Sequence, residues 1–129
     1  DHTGSYGPAF WEYILVLKDF MKAKVEGNFE GNLHMYLNAP STKGHKCPSQ
    51  RHRSNESESV QTNTKMRRER TFPVPKEVDP SGEVFMYSHF APTHRDQNAP
   101  RMYYYLDLEN TKKAYIGYIG VHLTNTKTN

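Results

Sequence analysis

Residues 101–123 read RMYYYLDLENTKKAYIGYIGVHL. Two runs rich in aromatic and β-branched residues, 101–108 and 114–123, flank a polar connection, which is the pattern of two adjacent β-strands. Upstream, residues 83–90 (EVFMYSHF) predict a further strand. The segment Asp79-Pro80-Ser81-Gly82 before it predicts a turn, because proline presets φ and glycine accepts a positive φ. Residues 71–75 contain two prolines and predict only a short edge segment. The chain from residue 71 onward therefore predicts an antiparallel meander.

The N-terminal third predicts helix. Apolar residues recur there at helical spacing, at Phe10, Ile14, Leu17 and Met21. Pro8 suits a first helical turn, and Gly27 suits the residue after a helix end. Asn28 predicts the cap of a second helix, which Pro40 ends. Helices followed by a run of strands form an α+β pattern. We expect one domain over residues 1–129, with a helical layer (1–39) packed on a sheet (71–129) of three to five antiparallel strands.

The positive charge of the chain is local. The net charge is +3, yet residues 40–75 hold eight Lys or Arg residues against three acidic ones. Residues 41–63 are also poor in apolar side chains, in a chain with only 35% hydrophobic residues. We therefore expect a long basic loop over residues 40–70, between the helices and the sheet. Such a cluster indicates an anionic partner such as nucleic acid, and a solvated loop without a partner remains the alternative.

Side chains alternate between the two faces of a strand, so each predicted strand divides into two sets. The more apolar set of each strand should face the helices, which for the last strand is Tyr115, Gly117, Ile119, Val121 and Leu123. The opposite, open face then gathers Tyr87, His89, Arg101, Tyr103, Tyr105, Tyr118 and His122. A β-bulge at Gly117 or Gly120 would move His122 to the other face.

These residue types together are suited to a phosphodiester ligand. His122 and His89 are the expected acid and base, because imidazole exchanges protons near neutral pH. Arg101 and Arg70 are expected to stabilise the charge on the phosphate. Tyr103 and Tyr105 are expected to stack on or position the substrate. The remaining ligand-binding candidates are Tyr87, Tyr118, Lys65, Arg67, Arg68 and Thr124.

The sequence gives less support to a disulfide framework, a membrane span or a metal site. One cysteine, Cys47, excludes a disulfide framework and indicates a reducing, cytoplasmic compartment. The longest aliphatic run, residues 14–17, predicts no membrane span. His45, Cys47 and His52 are too few for a structural zinc site, so we expect neither a metal nor a cofactor. The first residue is Asp, which indicates a piece of a longer protein.

The leading hypothesis is a small metal-independent nuclease or phosphodiester-processing domain, most consistent with RNA as substrate. Its layout of helices followed by an antiparallel sheet resembles that of barnase-type ribonucleases and related bacterial toxin domains. The sequence Tyr115-Ile116-Gly117-Tyr118-Ile119-Gly120 does not place it among GIY-YIG nucleases, because the nine residues that follow contain neither Arg nor Glu. Two alternatives remain open: a non-catalytic module that binds nucleic acid or nucleotides, and a protein-interaction domain that uses the tyrosine-rich face.

Overall fold

The computed structural model of the chain describes residues 6–93, 98–121 and 123. Within these ranges the helices are α1 (Gly7–Val25), α2 (Leu33–Leu37), α3 (Glu58–Thr62) and α4 (Thr64–Glu69), with a 3₁₀ turn at Ser49–Arg51. The strands are β1 (His52–Arg53), β2 (Thr71–Pro73), β3 (Glu83–Phe85), β4 (Ser88–Phe90), β5 (Pro100–Asp107) and β6 (Lys113–Val121). None of the helices described combines the length and the apolar character needed to cross a bilayer.

The molecule has an α+β fold, as expected, with two antiparallel sheets. The main sheet has four strands in the order β1-β4-β5-β6, and β2 pairs with β3 in a separate two-stranded sheet. Strands β4, β5 and β6 are neighbours in sequence and in space and form a meander. The single strand expected over residues 83–90 is instead two strands, β3 and β4, which belong to different sheets. The turn between β5 and β6 is closed by Asp107, whose carboxylate accepts hydrogen bonds from the backbone N–H groups of Asn110 and Thr111 at 3.1 and 2.8 Å.

Helix α1 covers one face of the main sheet. Pro8 lies in its first turn, where a missing N–H costs no hydrogen bond, and Gly27 follows its end with a φ of 74°. The helix buries Phe10, Tyr13, Val16, Leu17, Phe20 and Met21. Tyr13 stacks on Phe90 of β4 with the ring centroids 4.6 Å apart. Each fully buried side chain of this kind contributes roughly 1.5–3 kcal/mol, so this face is the main hydrophobic core.

The second N-terminal helix is much shorter than the sequence predicts. Helix α2 has five residues, and its cap is Asn32 rather than Asn28, since the Asn32 side chain accepts a hydrogen bond from the backbone N–H of Met35 at 2.8 Å. Gly31, with a φ of 149°, precedes it. The helical layer is therefore one long helix with one additional turn, rather than two packed helices.

The expected basic loop over residues 40–70 contains regular structure. It includes the 3₁₀ turn, strand β1 and helices α3 and α4. The helices begin at Ser57 and Asn63, whose side chains each accept a hydrogen bond from a backbone N–H three residues later. Val60 and Met66 are buried, which anchors the two short helices to the rest of the fold. This segment adds strand β1 to the edge of the main sheet.

The β2–β3 hairpin covers the second face of the main sheet. Its turn contains the predicted residues, with Gly82 at a φ of 80° and the Asp79 carboxylate accepting a hydrogen bond from the backbone N–H of Ser81 at 2.9 Å. A second apolar cluster forms beneath it, comprising Val74, Val78, Val84, Met86 and Tyr103, with Phe72, Tyr105, Tyr115, Tyr118 and Leu123 packed against it.

A β-bulge at Gly117 corrects the predicted alternation of β6. Tyr103 pairs with Tyr118, but the next residue of β5, Tyr104, pairs with Ile116, so Gly117 is the extra residue. Tyr115 consequently packs in the second cluster and Ala114 against the helical core, the reverse of the expectation for this half of the strand. A Cβ on Gly117 would lie 2.5 Å from the Met86 sulfur, which explains why glycine occupies the bulge.

Candidate phosphodiester site

One row of side chains crosses all four strands of the main sheet on the face opposite α1. Arg53 of β1 pairs with His89 of β4, His89 pairs with Tyr103 of β5, and Tyr103 pairs with Tyr118 of β6. Arg101 lies two residues before Tyr103 on β5 and is therefore a diagonal neighbour of His89. The sheet thus brings His89, Arg101, Tyr103 and Tyr118 together, as the alternation pattern predicts, and adds Arg53.

This face is not the open surface that the sequence analysis expects. Tyr103 is only 2% exposed, because the β2–β3 hairpin and the segment before α3 lie over it. Phe72 of β2 stacks on Tyr118 with the ring centroids 5.9 Å apart. Tyr103 therefore cannot stack on a base in this conformation, and its ring belongs to the second apolar cluster. Tyr105 is half-buried in the same cluster.

A buried polar network lies under this cover and is centred on Glu56. The Glu56 carboxylate accepts a hydrogen bond from the Tyr103 hydroxyl at 2.7 Å and from Nε of Arg70 through the same oxygen. Arg70 is 1% exposed, and its Nη1 also donates to the carbonyl oxygen of Met66 at 3.0 Å. The Arg70 guanidinium lies 5.8 Å from the Tyr103 ring centroid. Arg70 is thus held in an ion pair, and its direct role is to fix the position of the Glu56 carboxylate.

His89 lies beside this network in a defined tautomer. Its ring stacks on Tyr103 with the centroids 4.6 Å apart, and its Nδ1 is 3.1 Å from the carbonyl oxygen of Tyr87. Because a carbonyl oxygen only accepts, Nδ1 carries the proton, and Nε2 carries the lone pair of the neutral ring. Burial lowers the pKa of His89 below its ordinary value, and the positive charges of Arg101 and Arg53 lower that pKa further, while Glu56 opposes them. His89 is therefore a neutral imidazole whose Nε2 carries the lone pair.

The candidates of α4 lie on a separate, exposed surface. Lys65, Arg67 and Arg68 all face solvent. The Arg67 guanidinium lies over the Phe85 ring, 4.1 Å from its centroid, and Arg68 forms an ion pair with Glu83. The rings of Phe85 and Tyr87 are 5.6 Å apart, and Tyr87 is 41% exposed. We call these residues, Lys65, Arg67, Arg68, Phe85 and Tyr87, the basic–aromatic strip. His122 and Thr124 lie outside the described residues.

Two residues of the site were not assigned from sequence. Glu56 contacts Tyr103 across 47 positions of the chain, so no local pattern reveals the pair. The available signal was compositional, since Glu56 is one of three acidic residues in the basic segment 40–75. Arg53 belongs to a two-residue strand, which is too short to show alternation. Its pairing with His89 brings a second arginine to the imidazole.

The cysteine and the metal-ligand candidates are not arranged for chemistry. Cys47 is buried in the helical core, and burial raises the pKa of its thiol to about 11, which keeps it protonated and unreactive. In the part of the chain that the structure describes, no three His, Cys, Asp or Glu side chains are grouped as a metal site.

The chain matches no protein-family model, no curated protein and no solved structure.

Proposed function

We propose that this chain is a metal-independent phosphodiester-processing domain that cleaves RNA, with His89 as its general base. The observation that carries the proposal is the state of His89: its Nδ1–H is directed at a backbone carbonyl, its Nε2 carries the lone pair, and the positive charges of Arg53 and Arg101 keep the ring neutral. An imidazole held neutral at neutral pH accepts a proton without first losing one. Two guanidinium groups beside it favour an anion at the same place.

The proposed reaction uses the 2′-hydroxyl of the RNA itself. Nε2 of His89 takes the 2′-hydroxyl proton while the 2′-oxygen attacks phosphorus. The bond from phosphorus to the 5′-oxygen breaks, and His122 donates a proton to that oxygen. The products are a 2′,3′-cyclic phosphate and a 5′-hydroxyl. Arg101 and Arg53 bind the phosphate oxygens as negative charge develops on them. Arg70 acts as a positioning residue through Glu56.

The test is cleavage of a labelled single-stranded RNA by the purified chain in excess EDTA. His89→Gln should reduce the cleavage rate by roughly 10²–10⁴-fold, the usual contribution of a general base, while circular dichroism shows an unchanged fold. The matched control is His45→Gln, because His45 is an exposed histidine that pairs with Asp19 far from His89 in sequence and outside this face. The same oligonucleotide with a 2′-deoxy group at the cleaved position should be resistant. Cleavage that persists in both His89→Gln and His122→Ala would exclude the mechanism.

A non-catalytic nucleic-acid module is the second candidate, and the basic–aromatic strip favours it. Arg67 stacked on Phe85, next to the exposed Tyr87, offers both a cation and a ring face for an unpaired base. Fluorescence anisotropy with the same RNA distinguishes the two functions. Affinity should fall steeply between 50 and 200 mM salt, and Arg67→Gln should reduce the slope of log K against log salt by about one. Such binding with no cleavage, and with no effect of His89→Gln, would favour this candidate.

A further inference from the structure

A small pocket opens on the α1 side of the main sheet, where β1 and β4 meet the start of α2. It has a volume of about 230 Å³. Its wall is formed by Asn32, Leu33, His34, His52, Ser54, Tyr87, Ser88, Tyr104, Tyr105 and Leu106. The residues of its floor, His52, Tyr104 and Leu33, are buried, whereas His34, Ser54 and Tyr87 are exposed at its rim. The pocket is therefore open to solvent on one side and closed at its base.

The floor contains a buried polar atom without a partner. His52 is 7% exposed, and its Nε2 is 2.5 Å from the Tyr104 hydroxyl. Its Nδ1 is almost completely covered and has no hydrogen-bond partner among the described residues. A buried polar atom left in this state costs about 1–3 kcal/mol, a cost that a ligand hydrogen bond would remove. His52 lines this pocket, so the unpaired atom and the cavity together indicate a bound molecule.

The wall defines the chemistry of that molecule. None of the ten wall residues is Asp, Glu, Lys or Arg, and burial lowers the pKa of His52 to about 4, so the imidazole is neutral. Burial also raises the pKa of Tyr104, which keeps its hydroxyl protonated. A neutral wall favours a neutral ligand, because an ion would lose its hydration without gaining an opposite charge. Aromatic residues are frequent in the wall and include Tyr87, Tyr104 and His52, which favours a flat ligand.

The volume of the pocket and the unpaired Nδ1 of His52 narrow the class of ligand further. Pockets for drug-sized molecules are roughly 300–1,000 Å³, so this one accepts a smaller group. Nδ1 of His52 needs one partner: a donor if Nε2 carries the proton, and an acceptor if the Tyr104 hydroxyl donates to Nε2. A nucleobase is planar, neutral and carries donors and acceptors side by side on its edge. We propose that this pocket binds a nucleobase, with its edge on His52 and its face against the pocket tyrosines.

The proposal rests on the proposed function in naming RNA as the source of the base. Strand β1 is an edge strand, and His52 and Arg53 are consecutive residues of it with side chains on opposite faces. An RNA strand bound along this edge would pass close both to the pocket and to Arg53, the β1 neighbour of His89. The pocket would therefore bind a base near the cleaved phosphate. A free nucleoside presents the same chemistry, and the experiment separates the two sources.

The experiment measures the ring nitrogens of His52 by ¹⁵N NMR during titration with adenosine, guanosine, cytidine and uridine. At least one nucleoside should shift the Nδ1 resonance of His52 in a saturable way, while the apolar probe toluene does not. His52→Phe preserves the ring and the fold but removes the nitrogen, and it should weaken that nucleoside at least about fivefold. Ser54→Phe, a change at the exposed rim, should block the pocket without altering the core. His45→Gln should leave the affinity unchanged.

The outcomes separate this inference from the proposed function. If none of the four nucleosides shifts His52, or if His52→Phe and Ser54→Phe bind them as the parent does, the inference is wrong whether or not RNA is cleaved. Conversely, His89→Gln should abolish cleavage and leave nucleoside binding intact. An oligonucleotide of the preferred base that shifts the same resonance more tightly than the nucleoside identifies RNA as the source. An oligonucleotide that fails to shift it identifies a free nucleoside.

Discussion

Replacement of Arg70 by Met is the most direct test of the buried network. Arg70 is 1% exposed and forms an ion pair with Glu56, whose side chain is 10% exposed. The substitution keeps a similar length of side chain but leaves the Glu56 carboxylate buried, with the Tyr103 hydroxyl as its remaining side-chain donor among the described residues. Breaking a buried pair in this way costs about 3–5 kcal/mol. A domain of this kind has only about 5–15 kcal/mol of unfolding free energy, so the variant should lose a large part of it.

Urea unfolding followed by circular dichroism measures the effect, in a double-mutant cycle with Glu56→Gln. Arg70→Met leaves the buried Glu56 without its ion-pair partner, and Glu56→Gln leaves Arg70 with the longer contact to the more exposed Glu69, at 3.7 Å. The double variant removes the buried pair as a whole. The double variant should therefore be more stable than the sum of the single losses implies, by at least about 2 kcal/mol. Arg68→Met is the matched control, because the Arg68 ion pair with Glu83 is exposed, and its removal should produce no measurable change. Additive losses, or a loss in Arg70→Met no larger than in Arg68→Met, would refute the network.

Three further predictions concern other parts of the molecule. Gly117→Ala should destabilise the fold by about 1–3 kcal/mol in thermal unfolding, because its Cβ would lie 2.5 Å from the Met86 sulfur. Gly7→Ala is the control and should leave the stability unchanged, because the space around its Cβ is open. The free energy of unfolding should fall as the pH drops from about 6.5 to about 4, because in that window His52 is protonated in the unfolded chain and not in the folded chain. The expected loss is about 3 kcal/mol, and the variant His52→Phe should not show this loss. Cys47 should resist iodoacetamide at pH 7.5 until urea unfolds the chain, because its thiol has a pKa of about 11; modification of the native protein would contradict its burial.

The sequence predicts those parts of the fold that depend on local patterns. The spacing of apolar residues predicts helix α1, the residues around Asp79 predict the turn before β3, and alternation predicts strands β5 and β6. Alternation alone also brings His89, Arg101 and Tyr103 to one face, as the pairing of β4 with β5 requires. These features follow from interactions between residues near one another in sequence.

The remaining features depend on contacts that no local pattern encodes. Strand β1 has two residues and forms only because His52 and Arg53 pair with β4, some 36 positions later. The bulge at Gly117 is set by the approach of the β2–β3 hairpin to β6, a tertiary contact. For the same reason the sequence does not show that the hairpin covers Tyr103, which converts an expected binding surface into a second core.

The excess charge of the basic segment first indicated an anionic partner, but the arginines of this segment make different contacts in the structure. Arg70 neutralises Glu56 inside the fold, and Arg68 pairs with Glu83 on the surface. The two arginines that act on His89 are Arg53, from this segment, and Arg101, from β5. If RNA is cleaved at His89, the rate should therefore depend far more on Arg53 and Arg101 than on the exposed cations of α4, which would contribute only salt-dependent affinity. The number of charges along the chain therefore does not locate the cations beside His89, whereas the pairing of strands does.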